Sequence, residues 1–130
     1  MLIIGHRFIP SQSFYHITNI EDISHTPPSS TIYFKFSEEN LDILEHANLN
    51  HVKVALSVTN LTELIYASAL NAKYIVVPSH LAAAAQNIAQ NYLFDAKILV
   101  KIKNDDEIEE MALLNMDGVL YPNGIIKINS

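Results

Sequence analysis

Asn71-Ala-Lys-Tyr-Ile-Val-Val77 is one of four similar stretches in which a polar residue ends a helix-like segment and a hydrophobic strand follows within two or three residues. The four polar residues are Asn50, Asn71, Asp95 and Asn115, and the intervals between them are 21, 24 and 20 residues. Intervals of about 20 residues are close to the minimum for one strand, one crossover helix and two short loops. The repetition therefore predicts parallel strands joined by helices.

The polar residue at each corner has a physical explanation. A helix that turns abruptly into a strand commonly places its first non-helical residue in the left-handed region, where Gly is best and Asn is next. We therefore expect Asn50, Asn71, Asp95 and Asn115 to adopt left-handed backbone conformations that serve the turns rather than a ligand.

The whole chain, residues 1–130, has the size of a single α/β domain, and 49% of its residues are apolar. Residues 1–30 are irregular, whereas strand and helix patterns alternate regularly over residues 31–130. We predict about six or seven strands in a mostly parallel sheet with helices on both faces, a Rossmann-like or flavodoxin-like three-layer architecture. A (β/α) half barrel is the alternative.

The last turn predicts a change of strand direction. Asn123-Gly124 lies between two hydrophobic runs and is the favoured two-residue hairpin signal. We therefore expect the final strand to be antiparallel and to lie at an edge of the sheet.

Two segments carry a resemblance to a known family. Leu70 to Pro78 and Leu114 to Tyr121 resemble the strand-entry units of phosphate-binding (β/α) barrels, and such units span residues 31–121. A full eightfold barrel takes about 250 residues, so the resemblance implies at most half of one. It does not imply the glycine-rich phosphate loop, because none of the three glycines opens a helix. The chain also resembles small bacterial α/β proteins, which implies a fold but no activity.

A second motif, Asn115-Met-Asp-Gly-Val-Leu120, resembles the Asp-x-Asp-Gly-(Thr/Val)-Leu signature of haloacid-dehalogenase-type phosphatases. Asn115 stands where that family requires a nucleophilic carboxylate, and an amide cannot form an acyl phosphate. The motif is therefore interpreted as the entrance to a strand.

Composition excludes several other classes of function. The chain has no cysteine, and its net charge is −6 with eight Lys and Arg residues scattered singly, so neither nucleic acid nor a membrane is an expected partner. No run of apolar residues is long enough to span a bilayer, and we expect a cytoplasmic protein. No two of the six histidines have the spacing of a helical metal pair, so neither a metal nor another cofactor is expected.

Ligands in parallel α/β proteins bind at the carboxyl ends of the strands, where helix N-termini also lie. The sequence places seven polar residues there as candidate ligand-binding groups: Ser57, Thr59, Asn60, Ser79, His80, Lys103 and Asn104.

The leading functional hypothesis is a non-enzymatic module that acts as a homodimer or binds a protein partner. It depends on the lack of a catalytic cluster and on a low content of charged residues, 17%. The alternative is a domain that binds a small molecule, phosphate or another anion, with or without enzyme activity, at the strand ends. No catalytic residue is assigned under either hypothesis.

Overall fold

The computed structural model of the chain describes residues 1–128, so the last two residues of the predicted domain lie outside the described part. Eight short strands and four helices alternate along it. The strands are β1 (Leu2–Ile4), β2 (Phe14–His16), β3 (Thr31–Lys35), β4 (Lys53–Ser57), β5 (Tyr74–Val77), β6 (Lys97–Lys101), β7 (Gly118–Leu120) and β8 (Ile125–Lys127). The helices are α1 (Leu41–Leu49), α2 (Leu61–Ala69), α3 (Ala82–Asn91) and α4 (Ile108–Leu113). The 3₁₀ turns are Ile20–His25, Glu38–Asn40, Ser79–Leu81, Asp105–Glu107 and Pro122–Gly124.

All eight strands form one sheet in the order β1-β7-β6-β5-β4-β3-β2-β8, and every neighbouring pair is parallel. The predicted α/β fold with a mostly parallel sheet is confirmed. The sheet has eight strands in the described residues rather than six or seven, because the irregular first thirty residues supply both β1 and β2.

The predicted antiparallel edge strand is wrong. β8 pairs with β2 in the parallel direction, with Phe14 opposite Ile125. The Asn-Gly hairpin cannot form because both edges of β7 are already paired, one with β6 and the other with β1. The Tyr121 amide accordingly donates to the carbonyl oxygen of Ile4 at 2.8 Å, and Pro122–Gly124 forms a 3₁₀ turn that leads the chain away from β7.

The helices lie on one side of the sheet. Buried residues of α1, α2, α3 and α4 belong to one hydrophobic cluster with the strand residues of one parity, such as Ile32, Leu56 and Ile98. The strand residues of the other parity form a second cluster that contains no helical residue. Its buried members are Ile4, Phe14, Tyr33, Ala55, Val76, Leu99 and Leu120.

The face without helices is concave because the sheet is curled. The rings of Phe14 on β2 and Tyr74 on β5 have centroids 5.1 Å apart, although β3 and β4 separate their strands. The ammonium of Lys101 on β6 similarly lies 5.7 Å from the ring centroid of Tyr33 on β3. The predicted three-layer arrangement with helices on both faces is therefore wrong, and the structure has the curled sheet of the half-barrel alternative, with helices on its convex face.

The curl brings the two edge strands together. Gly5 follows β1 with a φ of +88°, and a Cβ atom there would lie 2.3 Å from the amide nitrogen of Gly124, which precedes β8. The strand registers can be followed from β1 across the sheet to β8 and back to β1 through this contact. The path returns to β1 displaced by about eight residues, and this displacement, the shear number, is the one typical of eight-stranded (β/α) barrels. Barrel curvature is thus reached with very short strands.

The four helix-to-strand corners share one hydrogen-bond pattern. In each, an amide two residues past the helix cap donates to the carbonyl five residues earlier, as in the bonds from Val52, Ala72, Phe94 and Met116. The left-handed residues at these corners are His51, Asn71, Leu93 and Asn115.

Two of the four predicted left-handed corners are therefore confirmed, Asn71 and Asn115. The prediction is wrong for Asn50, which has a φ of −105°, and for Asp95, which lies two residues past the left-handed position. The corner geometry requires a left-handed residue one position after the helix cap, and His51 and Leu93 occupy that position despite their side chains.

No helix within residues 1–128 is long and apolar enough to cross a lipid bilayer.

Candidate functional site

Basic and aromatic side chains converge at the carboxyl end of the concave face. His16, Lys101 and Lys127 are the last residues of β2, β6 and β8. The rings of His16 and Tyr33 meet edge to face with centroids 5.4 Å apart, and the Lys101 ammonium lies over the same Tyr33 ring. Lys127 is the register partner of His16 on the neighbouring strand and therefore points to the same face. Four side chains from four strands form this group, which we call the basic mouth.

The two lysines act electrostatically on the histidine. The pKa of His16 is lowered below its ordinary value, first by burial of the imidazole and then by the positive charges of Lys127 and Lys101. His16 is half-buried, whereas both lysines are exposed. The basic mouth therefore favours a neutral imidazole between two cations.

Within the described residues, no carboxylate lies within ion-pair distance of these lysines. The close contacts between acidic and basic side chains in residues 1–128 are those of Asp105 with Arg7 and with the His6 imidazole, and neither Lys101 nor Lys127 takes part in one. The protein has fourteen Asp and Glu residues against eight Lys and Arg residues. Two ammonium groups that have no carboxylate partner in the described part of such a chain leave local positive charge at the mouth.

An apolar cavity adjoins the basic mouth through Lys101. It has a volume of about 210 Å³ and lies at the carboxyl ends of β6 and β7, where the chain enters β8. Its lining residues are Lys101, Ile102, Lys103, Leu120, Tyr121, Pro122 and Ile125.

Tyr121, which lines the apolar cavity, also belongs to a second group of polar side chains with His6 and Asp105. The Tyr121 hydroxyl donates to Asp105 Oδ1 at 2.8 Å, and the His6 Nε2 to Asp105 Oδ1 distance is 3.1 Å. The Phe8 amide donates to His6 Nδ1 at 3.3 Å, so Nε2 carries the proton shared with Asp105. Both imidazole nitrogens are therefore engaged, and His6 has no free lone pair for proton transfer.

This second group ties loops together. Burial raises the pKa of Tyr121 to about 12, and the hydrogen bond to the Asp105 carboxylate acts in the same direction. The same hydrogen bond is the main cause that lowers the pKa of Asp105. The contacts connect the segment after β1, the turn after β6 and the end of β7. They thereby hold Tyr121 in its position in the lining of the apolar cavity.

Four of the residues predicted to bind ligand serve helix or turn N-termini. Asn60 Oδ1 accepts a hydrogen bond from the Glu63 amide at 2.8 Å, and Glu63 Oε1 accepts one from the Thr59 amide at 2.9 Å. Glu107 Oε2 similarly accepts hydrogen bonds from the amides of Lys103 at 2.8 Å and Asn104 at 3.1 Å. The bond from the Lys103 amide is the largest of the causes that lower the pKa of Glu107. The backbone amides that could otherwise donate hydrogen bonds to a bound anion thus donate to Glu63 and Glu107 instead.

The remaining predicted residues differ in position. Ser57 is the last residue of β4 and, by strand alternation from Ala55, shares the concave face with the basic mouth. Ser79 and His80 lie in the exposed turn after β5. The Lys103 side chain borders the apolar cavity beside Lys101. The structure therefore brings Ser57 and Lys103 near the mouth, while Ser79 and His80 stay outside the contacts that define it.

Sequence reasoning did not find His16, Tyr33, Lys101 or Lys127. One signal was present: Lys97, Leu99 and Lys101 alternate with Ile98 and Val100, so β6 has one face whose ends are charged. Charged side chains at both ends of one face of a strand indicate that no helix packs on that face. The partners on β2 and β8 carry no such signal, since they join the group only through the curl of the sheet.

Within residues 1–128, no group of three or more His, Asp and Glu side chains is arranged to hold a metal ion. The sequence matches no protein-family model and none of the curated proteins with which it was compared. The fold and the basic mouth define a curled parallel α/β protein with a positively charged site at the carboxyl ends of its strands. Functional inference therefore depends on the geometry of this site.

Proposed function

We propose that this protein binds a small anion at the basic mouth. The observation that supports the proposal is the approach of two ammonium groups, Lys101 and Lys127, to the half-buried imidazole of His16, with no carboxylate partner for either lysine among residues 1–128. An anion between the two lysines would replace the missing counter-charge.

The charge distribution favours a bound ligand over an empty site. Lys101 and Lys127 repel a proton on His16, and a bound anion would reverse that effect by attracting it. Both ammonium groups are exposed, so solvent screens them and each contact with an anion is worth only about 1 kcal/mol or less. An anion that contacts both lysines at once gains from two such contacts.

The proposal is binding rather than catalysis. Among the described contacts of His16, the ring neighbour is Tyr33, and no carboxylate orients the imidazole as in an acid-base dyad. At the same end of the sheet, His6 has both imidazole nitrogens in hydrogen bonds, and His80 lies in the exposed turn after β5, outside the contacts of the basic mouth. These features support an anion-binding domain, the alternative that the sequence left open.

Isothermal titration with inorganic phosphate tests the proposal. Lys101→Met and Lys127→Met each keep an apolar stem and remove one charge, so we expect each to weaken binding at least about fivefold, or about 1 kcal/mol. Lys97→Met is the matched control, because Lys97 lies on the same strand and face as Lys101 at the opposite end. Absence of binding to the unaltered protein, or equal losses in all three variants, would refute the proposal.

A specific observation also favours self-association as a second candidate function. Large apolar side chains at the ends of three helices are exposed: Leu49 by 74%, Leu93 by 85% and Leu113 by 76%. These helix ends precede the amino ends of the strands and therefore lie on the side opposite the basic mouth. A homodimer, or a complex with another protein, could cover them without blocking the anion site. The cytoplasmic location expected from the sequence is compatible with either function.

Light scattering after size-exclusion chromatography tests the second candidate. We expect a dimer at micromolar concentration that dissociates when Leu49, Leu93 and Leu113 are all replaced by Ser. A monomer at every concentration would argue against self-association and leave anion binding unaffected.

A further inference from the structure

The apolar cavity beside the basic mouth is larger than a phosphate group needs. Leu120 and Ile125 both belong to or pack against the apolar cluster of the concave face, and Pro122 closes the wall between them. Tyr121 is 7% exposed and lines the cavity. Because its hydroxyl donates a hydrogen bond to Asp105, the ring contributes an apolar surface to the cavity wall. The cavity is therefore apolar except where Lys101 and Lys103 border it.

The cavity has room for one ring. An apolar cavity of about 150 Å³ already holds one benzene molecule, so the volume of about 210 Å³ admits an aromatic ring or a branched aliphatic group, and the side open to solvent leaves space for the rest of a ligand. Water gains few partners on such walls, because it needs two to four polar groups for its hydrogen bonds. An apolar group is the better occupant.

Lys101 joins the two environments. Its ammonium lies over Tyr33 in the basic mouth, and the residue also lines the apolar cavity. A ligand with an anionic group near Lys101 and Lys127 would therefore place a substituent directly into the cavity.

We infer that the ligand is a small organic anion that carries one compact apolar group, with its charge at Lys101 and Lys127 and its apolar group between Leu120 and Ile125. This inference rests on the proposed anion-binding function. Two classes of ligand fit this description, because both carry an anionic group on an apolar group of about the size of one ring: phosphate monoesters and carboxylates. We call the anionic group the head.

Titration with three probes tests the inference and distinguishes the two heads. Inorganic phosphate supplies the charge alone, phenyl phosphate adds a ring to a phosphate, and benzoate adds a ring to a carboxylate. We expect phenyl phosphate or benzoate to bind at least about tenfold more tightly than inorganic phosphate, and the tighter of the two identifies the head. Equal affinity for all three would overturn this inference and leave anion binding intact, whereas binding of none would overturn both.

A pair of variants on one strand supplies the control. Ile125→Phe fills the cavity and should remove most of the advantage of the ringed probes without weakening inorganic phosphate. Ile126→Phe adds the same side chain at the neighbouring position, which is 41% exposed and belongs to the opposite face, and should leave all three affinities unchanged. An advantage that survives Ile125→Phe would contradict the inference.

A second variant keeps the inference testable if Ile125→Phe does not fold. Ile125→Ala enlarges the cavity, so 1-naphthyl phosphate should gain affinity relative to phenyl phosphate. If the ratio of the affinities for 1-naphthyl phosphate and phenyl phosphate were the same in Ile125→Ala and in the unaltered protein, the ring would not bind in this cavity and the inference would be overturned.

Discussion

His16 and Lys127 occupy the same register position on neighbouring parallel strands, although one lies near each end of the chain. The curled sheet makes them neighbours because β8 crosses past β1 and adds to the far side of β2. The basic mouth is therefore complete only when β2 and β8 are paired. Its affinity for an anion should depend on the edge strands as well as on the charges.

The first prediction concerns pH. The folded-state pKa of His16 lies below its ordinary value of about 6.5, mainly because of burial and then because of Lys127 and Lys101. A bound anion counters the two lysines and raises that pKa, so binding is accompanied by proton uptake and becomes tighter as the pH falls through the pKa of His16 in the complex. Sulfate does not titrate in this range, and its affinity should increase between pH 7.5 and pH 5.5.

His16→Asn is the control for this effect. Asn keeps a polar side chain but cannot take up a proton, so the pH dependence of sulfate affinity should largely disappear. A dependence that persists unchanged in His16→Asn would assign it to another group. The same lowered pKa makes His16 a source of instability in acid, since the unfolded chain binds the proton more readily below about pH 6.5.

Leu93 provides a prediction about stability. Its φ is +54°, a left-handed conformation that is costly for a residue with a bulky side chain, and it is 85% exposed, so its side chain contributes little packing. Leu93→Asn should raise the free energy of unfolding by about 0.5 to 1 kcal/mol in urea denaturation carried out at a protein concentration at which the chain is monomeric. The reciprocal change, Asn71→Leu, should lower it by a similar amount, and opposite signs would refute this account of the corners.

Gly5 tests the contact between the edge strands. A Cβ at Gly5 would meet Gly124 at 2.3 Å, and the φ of +88° disfavours any other residue. Gly5→Ala should therefore destabilise the fold by at least about 2 kcal/mol and weaken anion binding in molecules that remain folded. Gln12→Ala, in the exposed loop that follows, is the control and should leave both quantities unchanged.

Asn60 separates a structural role from a binding role. Its side chain caps α2, so Asn60→Ala should lower the free energy of unfolding by about 1 kcal/mol, and Asn60→Ser should restore most of the loss. Phosphate affinity should not change in either variant. A loss of affinity without a loss of stability would return Asn60 to the set of ligand-binding residues that the sequence predicts.

Local sequence features predicted the repeating part of the fold well. Tyr74–Val77 is a strand with the predicted bounds, and Asn71 and Asn115 are left-handed corners, because short-range sterics and burial decide these features. The hairpin at Asn123-Gly124 failed for a non-local reason. Its local turn preference was overridden because β1 already occupies the edge of β7 that the hairpin requires.

The candidate site could be predicted only in part for a similar reason. Polar residues after strands, such as Thr59 and Asn104, were recognisable from position alone, but the structure uses them in N-terminal caps. The basic mouth instead draws on β2, β3, β6 and β8, which no short motif connects. Only the strand order and the direction of the curl place His16, Lys101 and Lys127 together.

The most direct test of the central claim is a backbone amide NMR titration of the unaltered protein with inorganic phosphate. Because the basic mouth lies at one end of the concave face, the largest chemical-shift changes should cluster at His16, Tyr33, Lys101 and Lys127. Lys53 and Lys97 are the first residues of β4 and β6, and Lys73 directly precedes β5, so all three lie at the amino end of the sheet and should show little change. Changes centred on those three lysines, or no change at saturating phosphate, would contradict the account.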